Sequence, residues 1–227
     1  GPPRERGRQF TTVVSPDSNL TALHRDYNVV IKTKDGAEKQ ITTEGSAASR
    51  KKFGSASWVY GEELDVINAM WWSPDSRKLA YYGFDDTPVP DYYLQLDQTK
   101  MYSKIDTEAY PKAGFDNPIV DLYVYDAATG KSTKIDVRDG KPFANETLGY
   151  YVYDIGWSPD GTQLAGASAA GPVSLFAALD GKKQHELPGH PGGTNVLAWM
   201  PKRAPADEIS SPSAKPSAEC RRMTGHL

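Results

Sequence analysis

Few side chains in this chain are placed to do chemistry. The first is the adjacent acidic pair Glu62-Glu63, in the string Trp58-Val59-Tyr60-Gly61-Glu62-Glu63-Leu64. Two neighbouring carboxylates offer charge-assisted acceptors to a cation, repel acidic groups and give a neutral group no charge to pair with. In isolation such a doublet is also what a solvated surface displays. Nucleophilic chemistry is poorly served. A serine elbow needs Gly-x-Ser-x-Gly on a strand-to-helix turn. Gly156-Trp157-Ser158-Pro159-Asp160 ends in Asp, and Gly166-Ala167-Ser168-Ala169-Ala170 lacks the second Gly. The histidines His24, His185, His190 and His226 lie in turn-like or tail sequence. A Ser-His-Asp set could be assembled on paper from any such inventory, so counting them is no argument. His185 and His190 lack carboxylate company and helical spacing, so no metal site is expected. The single cysteine, Cys220, excludes an internal disulfide and a Cys-based zinc cage. No phosphate-cradling Gly-x-x-x-x-Gly-Lys-Ser/Thr occurs, and no cofactor is expected. Asn19-Leu20-Thr21 and Asn145-Glu146-Thr147 fit the glycosylation sequon, which matters only in a eukaryotic secretory setting.

The elements that must position these residues follow from composition. The chain has 227 residues, with 20 Gly, 17 Pro and 11% aromatics. Many turns with many aromatics point to a β-rich globular protein of one or two domains. A formal charge of −3 is too weak for a polyanion partner, so nucleic acid is not expected. No run of 18 apolar residues exists, so no membrane segment is expected. The start, GPPRERGRQF, has no apolar signal core, and no export address is expected within this sequence.

One pattern repeats: a short apolar run, Ser-Pro-Asp, a polar residue or Gly, then a second apolar run. The copies are Val13-Val14-Ser15-Pro16-Asp17-Ser18, Trp71-Trp72-Ser73-Pro74-Asp75-Ser76 and Gly156-Trp157-Ser158-Pro159-Asp160-Gly161. A degenerate fourth is Leu197-Ala198-Trp199-Met200-Pro201. Pro presets φ at the first corner, Asp bonds its own backbone, and Gly tolerates positive φ, so each copy predicts a tight hairpin. Such hairpins build propeller blades. The spacings of 58 and 85 residues exceed the usual blade length of about 40–45 residues, so both intervals must hold insertions or further, undetected blades. Two further hairpins are expected. Val29–Ile31 and Gln40–Thr42 flank Lys34-Asp35-Gly36, and Asp121–Tyr125 and Thr133–Val137 flank Ala128–Lys131. Helix should be scarce. Residues 83–118, punctuated by Pro88, Pro90, Pro111 and Pro118, read as a long, partly extended insertion crossing the sheet surface.

A family resemblance rests on consecutive motifs. Trp58–Leu64 is followed by Ala69-Met70-Trp71-Trp72-Ser73-Pro74-Asp75, Leu79-Ala80-Tyr81 and Phe84-Asp85-Asp86-Thr87-Pro88-Val89-Pro90, then by Tyr110-Pro111-Lys112-Ala113-Gly114 and Asn117-Pro118. In this order they resemble the N-terminal β-propeller of dipeptidyl peptidase IV-like serine peptidases, of the prolyl oligopeptidase clan. The likeness spans about Phe10 to Asp160. It implies an eight-bladed propeller joined to an α/β-hydrolase domain that removes X-Pro or X-Ala dipeptides, in the periplasm or outside the cell. In that family adjacent glutamates hold the free amino group of the peptide, and those positions match Glu62 and Glu63. A peptide amine, with a pKa of about 8, is cationic at neutral pH, so a fixed carboxylate pair also sets how far the chain reaches. Both acids can serve one ligand only if the backbone is helical or irregular, and Gly61 would ease that break. Many relatives carry a third acid at the Gly61 position, a departure here. The family's second amine contact, an arginine of an earlier blade, would precede Gly1. Trp58 and Tyr60 are read as packing residues, and Trp71 and Trp72 as braces of the blade.

Past the third Ser-Pro-Asp the likeness changes. Residues 161–201 resemble a WD-repeat blade, with Leu164–Ser168 as an inner strand and Val173-Ser174-Leu175-Phe176 standing where such repeats end in Trp-Asp. Gly189-His190 and Val196–Trp199 resemble the next repeat's start, and Glu219–His226 a further repeat end. Residues 202–227 contain no aromatic and three prolines, and cannot offset their ordering entropy. The expected organisation is therefore a disordered 1–9, dipeptidyl peptidase-like blades over 10–160, a WD-like blade over 161–201 and a disordered tail over 202–227. The fold class is all-β, a partial propeller of antiparallel blades. Three to five blades cannot close a ring of eight, so exposed edges and a tendency to assemble are expected. Two functions fit. One is the propeller portion of a serine-type dipeptidyl peptidase, whose partners are a peptide with a free N-terminal amine and an α/β-hydrolase domain that this sequence lacks. The other is a non-enzymatic scaffold for a protein partner.

Overall fold

The computed structural model describes residues 9–144, 151–168, 172–188, 197–199 and 220–222. Its strands fall into antiparallel meanders that repeat along the chain. The first comprises β1 (Thr12–Val14), β2 (Leu20–Arg25), β3 (Asn28–Thr33) and β4 (Glu38–Gln40), hydrogen-bonded in that order. Then come β5 (Lys51–Phe53) and α1 (Trp58–Glu62), the only helix among the described residues. The second blade holds β6 (Met70–Trp72) and β7 (Lys78–Asp85). A hairpin of β8 (Asp91–Leu96) and β9 (Lys104–Ala109) intervenes before β10 (Ile119–Asp126) and β11 (Lys131–Ile135) complete the meander. β5 pairs with the far end of β7, beyond β6. The third blade is β12 (Val152–Trp157), β13 (Gln163–Ser168), β14 (Val173–Ala177) and β15 (Lys183–Leu187). Finally β16 (Leu197–Trp199) pairs with β17 (Cys220–Arg222).

Each Ser-Pro-Asp copy is the turn between the first and second strands of a blade, with one hydrogen-bond pattern. The buried serines Ser15, Ser73 and Ser158 donate to Asp17, Asp75 and Asp160 at 2.7, 2.6 and 2.7 Å. The same hydroxyls accept the backbone N–H of Leu20, Lys78 and Gln163 at 2.9 Å each. The residue after Asp is left-handed every time: Ser18 at φ 59°, Ser76 at 60° and Gly161 at 66°. At Gly161 glycine takes this conformation without the cost a side chain brings. The long intervals are explained. β5 and α1 are inserted ahead of the second blade, and the β8–β9 hairpin is inserted within it. That hairpin does not cross a sheet surface as expected from sequence. β8 is exposed along its whole length and β9 along most of its own, with Tyr93, Met101, Tyr102 and Ile105 in solvent.

The buried residues form three clusters, one at each seam between neighbouring blades. Ala22, Val29 and Ile31 of the first blade pack on Phe53 of β5 and on Met70, Trp72, Leu79, Tyr81 and Tyr125 of the second. The largest cluster joins α1 and the inner faces of β7 and β10 to β12, β13 and β14. Ala165, Val173 and Leu175 meet Leu197 and Trp199 at the third seam. Burying each large side chain contributes about 1.5–3 kcal/mol. A tryptophan stitches every seam. Trp72 Nε1 donates to Val13 O at 3.0 Å, Trp157 Nε1 to Trp71 O at 3.0 Å, and Trp199 Nε1 to Gly156 O at 3.3 Å. Trp199 thus holds the slot of Trp72 and Trp157, which identifies β16 as the first strand of a fourth repeat.

Three boundaries read from sequence look different in space. The division at 160/161 falls inside the β12–β13 turn of a single four-stranded sheet. Gln9, assigned to a disordered N-terminus, is fixed by two hydrogen bonds described below; residues 1–8 lie outside the described residues. Of the expected disordered tail, Cys220–Arg222 form a strand, and the rest lies outside the described residues, as do Asn145–Thr147, His190 and His226.

Candidate functional site

The site is built on α1, a helix too short to persist alone. Its N-cap, Ser57, makes no capping bond and instead donates its buried hydroxyl to Asp86 Oδ1 at 2.6 Å. Lys52 Nζ holds the other Asp86 oxygen at 3.1 Å. At the far end Val66 N–H returns to Tyr60 O at 2.9 Å. The Gln9 side chain spans both flanks: its oxygen accepts Ala56 N–H at 3.1 Å and its Nε2 donates to Val66 O at 2.7 Å. Trp58 packs edge-on to Tyr110 with centroids 4.4 Å apart. Tyr60 is buried against Tyr82, Phe84 and Tyr151. Both residues pack, as their sequence reading proposes. Gly61 is a buried helical residue, so the helix itself, not a glycine break, carries the two acids.

Consecutive residues on a helix lie about 100° apart, and the two glutamates diverge accordingly. Glu63, exposed at the C-cap, lines a concavity of about 490 Å³. Glu62, half-buried on the last turn, stands beside that concavity and is not part of its lining. One wall is the segment 63–68 that follows α1, and the other is 153–155 of β12, with Trp71 between them. Sequence reading missed Asp65, Asn68 and Asp154, all of which line it. Asp154 sits at φ 52° in a β-bulge between Tyr153 and Gly156. Bulges re-aim side chains in this way. Burial pushes its carboxyl above the usual range, opposed by the Leu197 N–H that it accepts. A lone acid within the apolar run Tyr151–Trp157 is the signal that could have marked it.

Three carboxylates therefore face one hollow, and among the described residues no lysine, arginine or histidine lines it. Such a hollow concentrates cations and repels anions. Its volume suits a ligand of dipeptide size. Among the described residues no group of three or more His, Cys, Asp or Glu is arranged to hold a metal ion. Ser158 is engaged in its turn and cannot serve as a nucleophile there. His24 and His185 lie on β2 and β15, outside the lining. No described helix is long and apolar enough to cross a membrane.

Comparison with known proteins adds a second line of argument. Residues 2–169 match the family model described as the dipeptidyl peptidase IV N-terminal region. A Grosmannia clavigera protein named probable dipeptidyl-aminopeptidase B is 36% identical over 155 residues, covering 58% of this chain and 16% of its own length. Dipeptidyl peptidase 4 of Felis catus is 32% identical over 149 residues, covering 63% of this chain and 20% of its own. The crystal structure of Porphyromonas gingivalis dipeptidyl peptidase 4 superposes with a TM-score of 0.60 at 30% identity, over 73% of this chain and 23% of that one. The chain thus spans a fifth or less of the length of these two curated relatives.

Proposed function

Because this chain belongs to the dipeptidyl peptidase IV N-terminal region family, we propose that it forms propeller blades of a serine-type dipeptidyl peptidase and receives the protonated amino terminus of the peptide at α1. Cleavage itself is assigned to an α/β-hydrolase domain and not to these blades. The observation that carries this reading is Glu63, held at the end of α1 on the wall of a hollow lined by two further carboxylates and by no described basic side chain. Glu62 completes the pair from the rim. An ammonium group brings three donors and one charge, and each hydrogen bond to an ionised partner is worth about 1.5–3 kcal/mol. Anchoring the amine fixes how many residues reach a nucleophile, which is how an exopeptidase counts to two.

The test compares alanyl-proline with its N-acetyl form by titration against the chain. The free amine should bind about tenfold or more tightly. Glu63→Gln should remove most of that preference, and Glu62→Gln should reduce it. Equal affinity for the two ligands, or a preference indifferent to both substitutions, would end the amine reading.

A further inference from the structure

The two walls of the acidic hollow belong to different blades, and something must hold them at a fixed separation. The junction is at their roots. Tyr60 lies three residues before Glu63, and Val152 lies two residues before Asp154. The Tyr60 hydroxyl accepts the Val152 N–H at 3.1 Å. The Tyr82 hydroxyl donates to the Val152 carbonyl at 2.8 Å. β12 is the edge strand of its sheet, so among the described residues its outward backbone groups have no neighbouring strand to bond. In a buried setting they still require partners, and at Val152 two tyrosines take both. Tyr60 has no freedom to wander, since it is 1% exposed and its ring is wedged against Phe84 at 4.8 Å and Tyr82 at 6.1 Å. Burial also drives its phenol above the ordinary range, which keeps it neutral.

We infer that Tyr60 is a positioning residue: through its hydrogen bond to Val152 it fixes α1 against β12 and so sets the distance between Glu63 and Asp154. This rests on the amine reading above. Selectivity for a free terminus then depends on a hydroxyl that never meets the ligand. Losing it frees the α1 end to move relative to the bulge, and the carboxylates no longer converge on one ammonium. The acetylated ligand makes no such demand, so its binding should be indifferent.

The test uses the chain with Tyr60→Phe, which keeps the ring and removes the hydroxyl. Tyr81→Phe is the comparator. It lies on β7, packs in the cluster at the other seam, and loses a hydroxyl hydrogen bond of its own, donated to Ser132 Oγ at 2.9 Å. Two quantities are read: the affinity ratio of alanyl-proline to N-acetyl-alanyl-proline, and the exchange rate of the Val152 amide. Tyr60→Phe should speed Val152 exchange and shrink the ratio about tenfold, with acetyl-ligand affinity unchanged. Tyr81→Phe should keep the wild-type ratio even where it lowers the melting temperature. 3-Fluorotyrosine placed at position 60 keeps the hydroxyl as a weaker acceptor. It should give an intermediate ratio, which preserves the test if the phenylalanine variant folds poorly. A wild-type ratio of one overturns the amine reading and this inference with it. A wild-type preference that survives both changes at position 60 overturns the inference alone.

Discussion

His24 shows how one side chain ties the first blade to the insertion that carries the site. Its Nδ1 meets Phe53 O at 2.7 Å, and its backbone N–H reaches Thr11 O at 2.8 Å. Burial lowers its pKa, the Phe53 carbonyl opposes this, and Lys52 adds to the lowering. A histidine whose folded pKa lies below its unfolded value favours the folded state only while neutral. Its contribution is therefore intact above the unfolded pKa of about 6.5 and is lost as pH falls from there through the lower folded pKa. His24→Asn can keep a donor toward Phe53 O and removes the titration. The stability advantage of wild type over this variant, from urea melts, should shrink between about pH 7.5 and pH 5; a constant difference would show that His24 does not titrate differently on folding. At this scale sequence singled out Glu62-Glu63 by motif, and of these Glu63 lines the hollow whereas Glu62 stands outside its lining. Sequence was silent where a residue matters through contact. Asp154 and Tyr60 acquire their significance from a bulge and from a partner 92 residues away.

At the scale of elements, turns were the most legible feature, because the Ser-Pro-Asp chemistry is local. Ser15, Ser73 and Ser158 each fix their hairpin through atoms within five residues. α1 was illegible, since five residues give no helical period. The β8–β9 hairpin was hidden for a related reason. Asp91-Tyr92-Tyr93-Leu94-Gln95-Leu96 does not alternate, because neither face is buried. α1 also owes its placement to Gln9, in a stretch whose composition suggested no order. Gln9→Ala removes two bonds, worth about 1 kcal/mol each. The melting temperature should fall by about 4–8 °C, and the Ala56 amide should exchange faster. A drop of less than about 1 °C, with Ala56 still protected, would mean that the strap contributes nothing.

The whole molecule is a series of sheets joined by seams. The repeat was readable; its spacing called for insertions or undetected blades, and only the strand order shows that they are insertions. The division expected at 160/161 rested on residue types alone, and neither the strand pairing nor the family match follows it: the third blade is continuous across it and the match runs to residue 169. In a nearest-neighbour array each seam contributes to the stability of both flanking blades. Trp157→Phe keeps the packing near the largest seam and removes the bond to Trp71 O. It should cost about 0.5–1.5 kcal/mol, the net worth of one hydrogen bond. Hydrogen exchange should rise first in β12 and β6, while β2 and β3 remain protected. Uniform loosening of all three sheets would argue that the seams do not act separately.

The direction of the indole bonds gives the array a polarity. Trp72, Trp157 and Trp199 each reach back to the preceding repeat, and none of the three reaches forward. Val14, 54% exposed, stands in the first described repeat where Trp72 and Trp157 stand in theirs, and brings no indole to that position. In each seam the donor is a side chain of the later repeat and the acceptor is backbone of the earlier one. A change of residue at Trp72, Trp157 or Trp199 removes the bond, whereas a change at Val13 or Trp71 leaves its carbonyl in place. Sequence drift should accordingly loosen a seam from one side and spare it from the other.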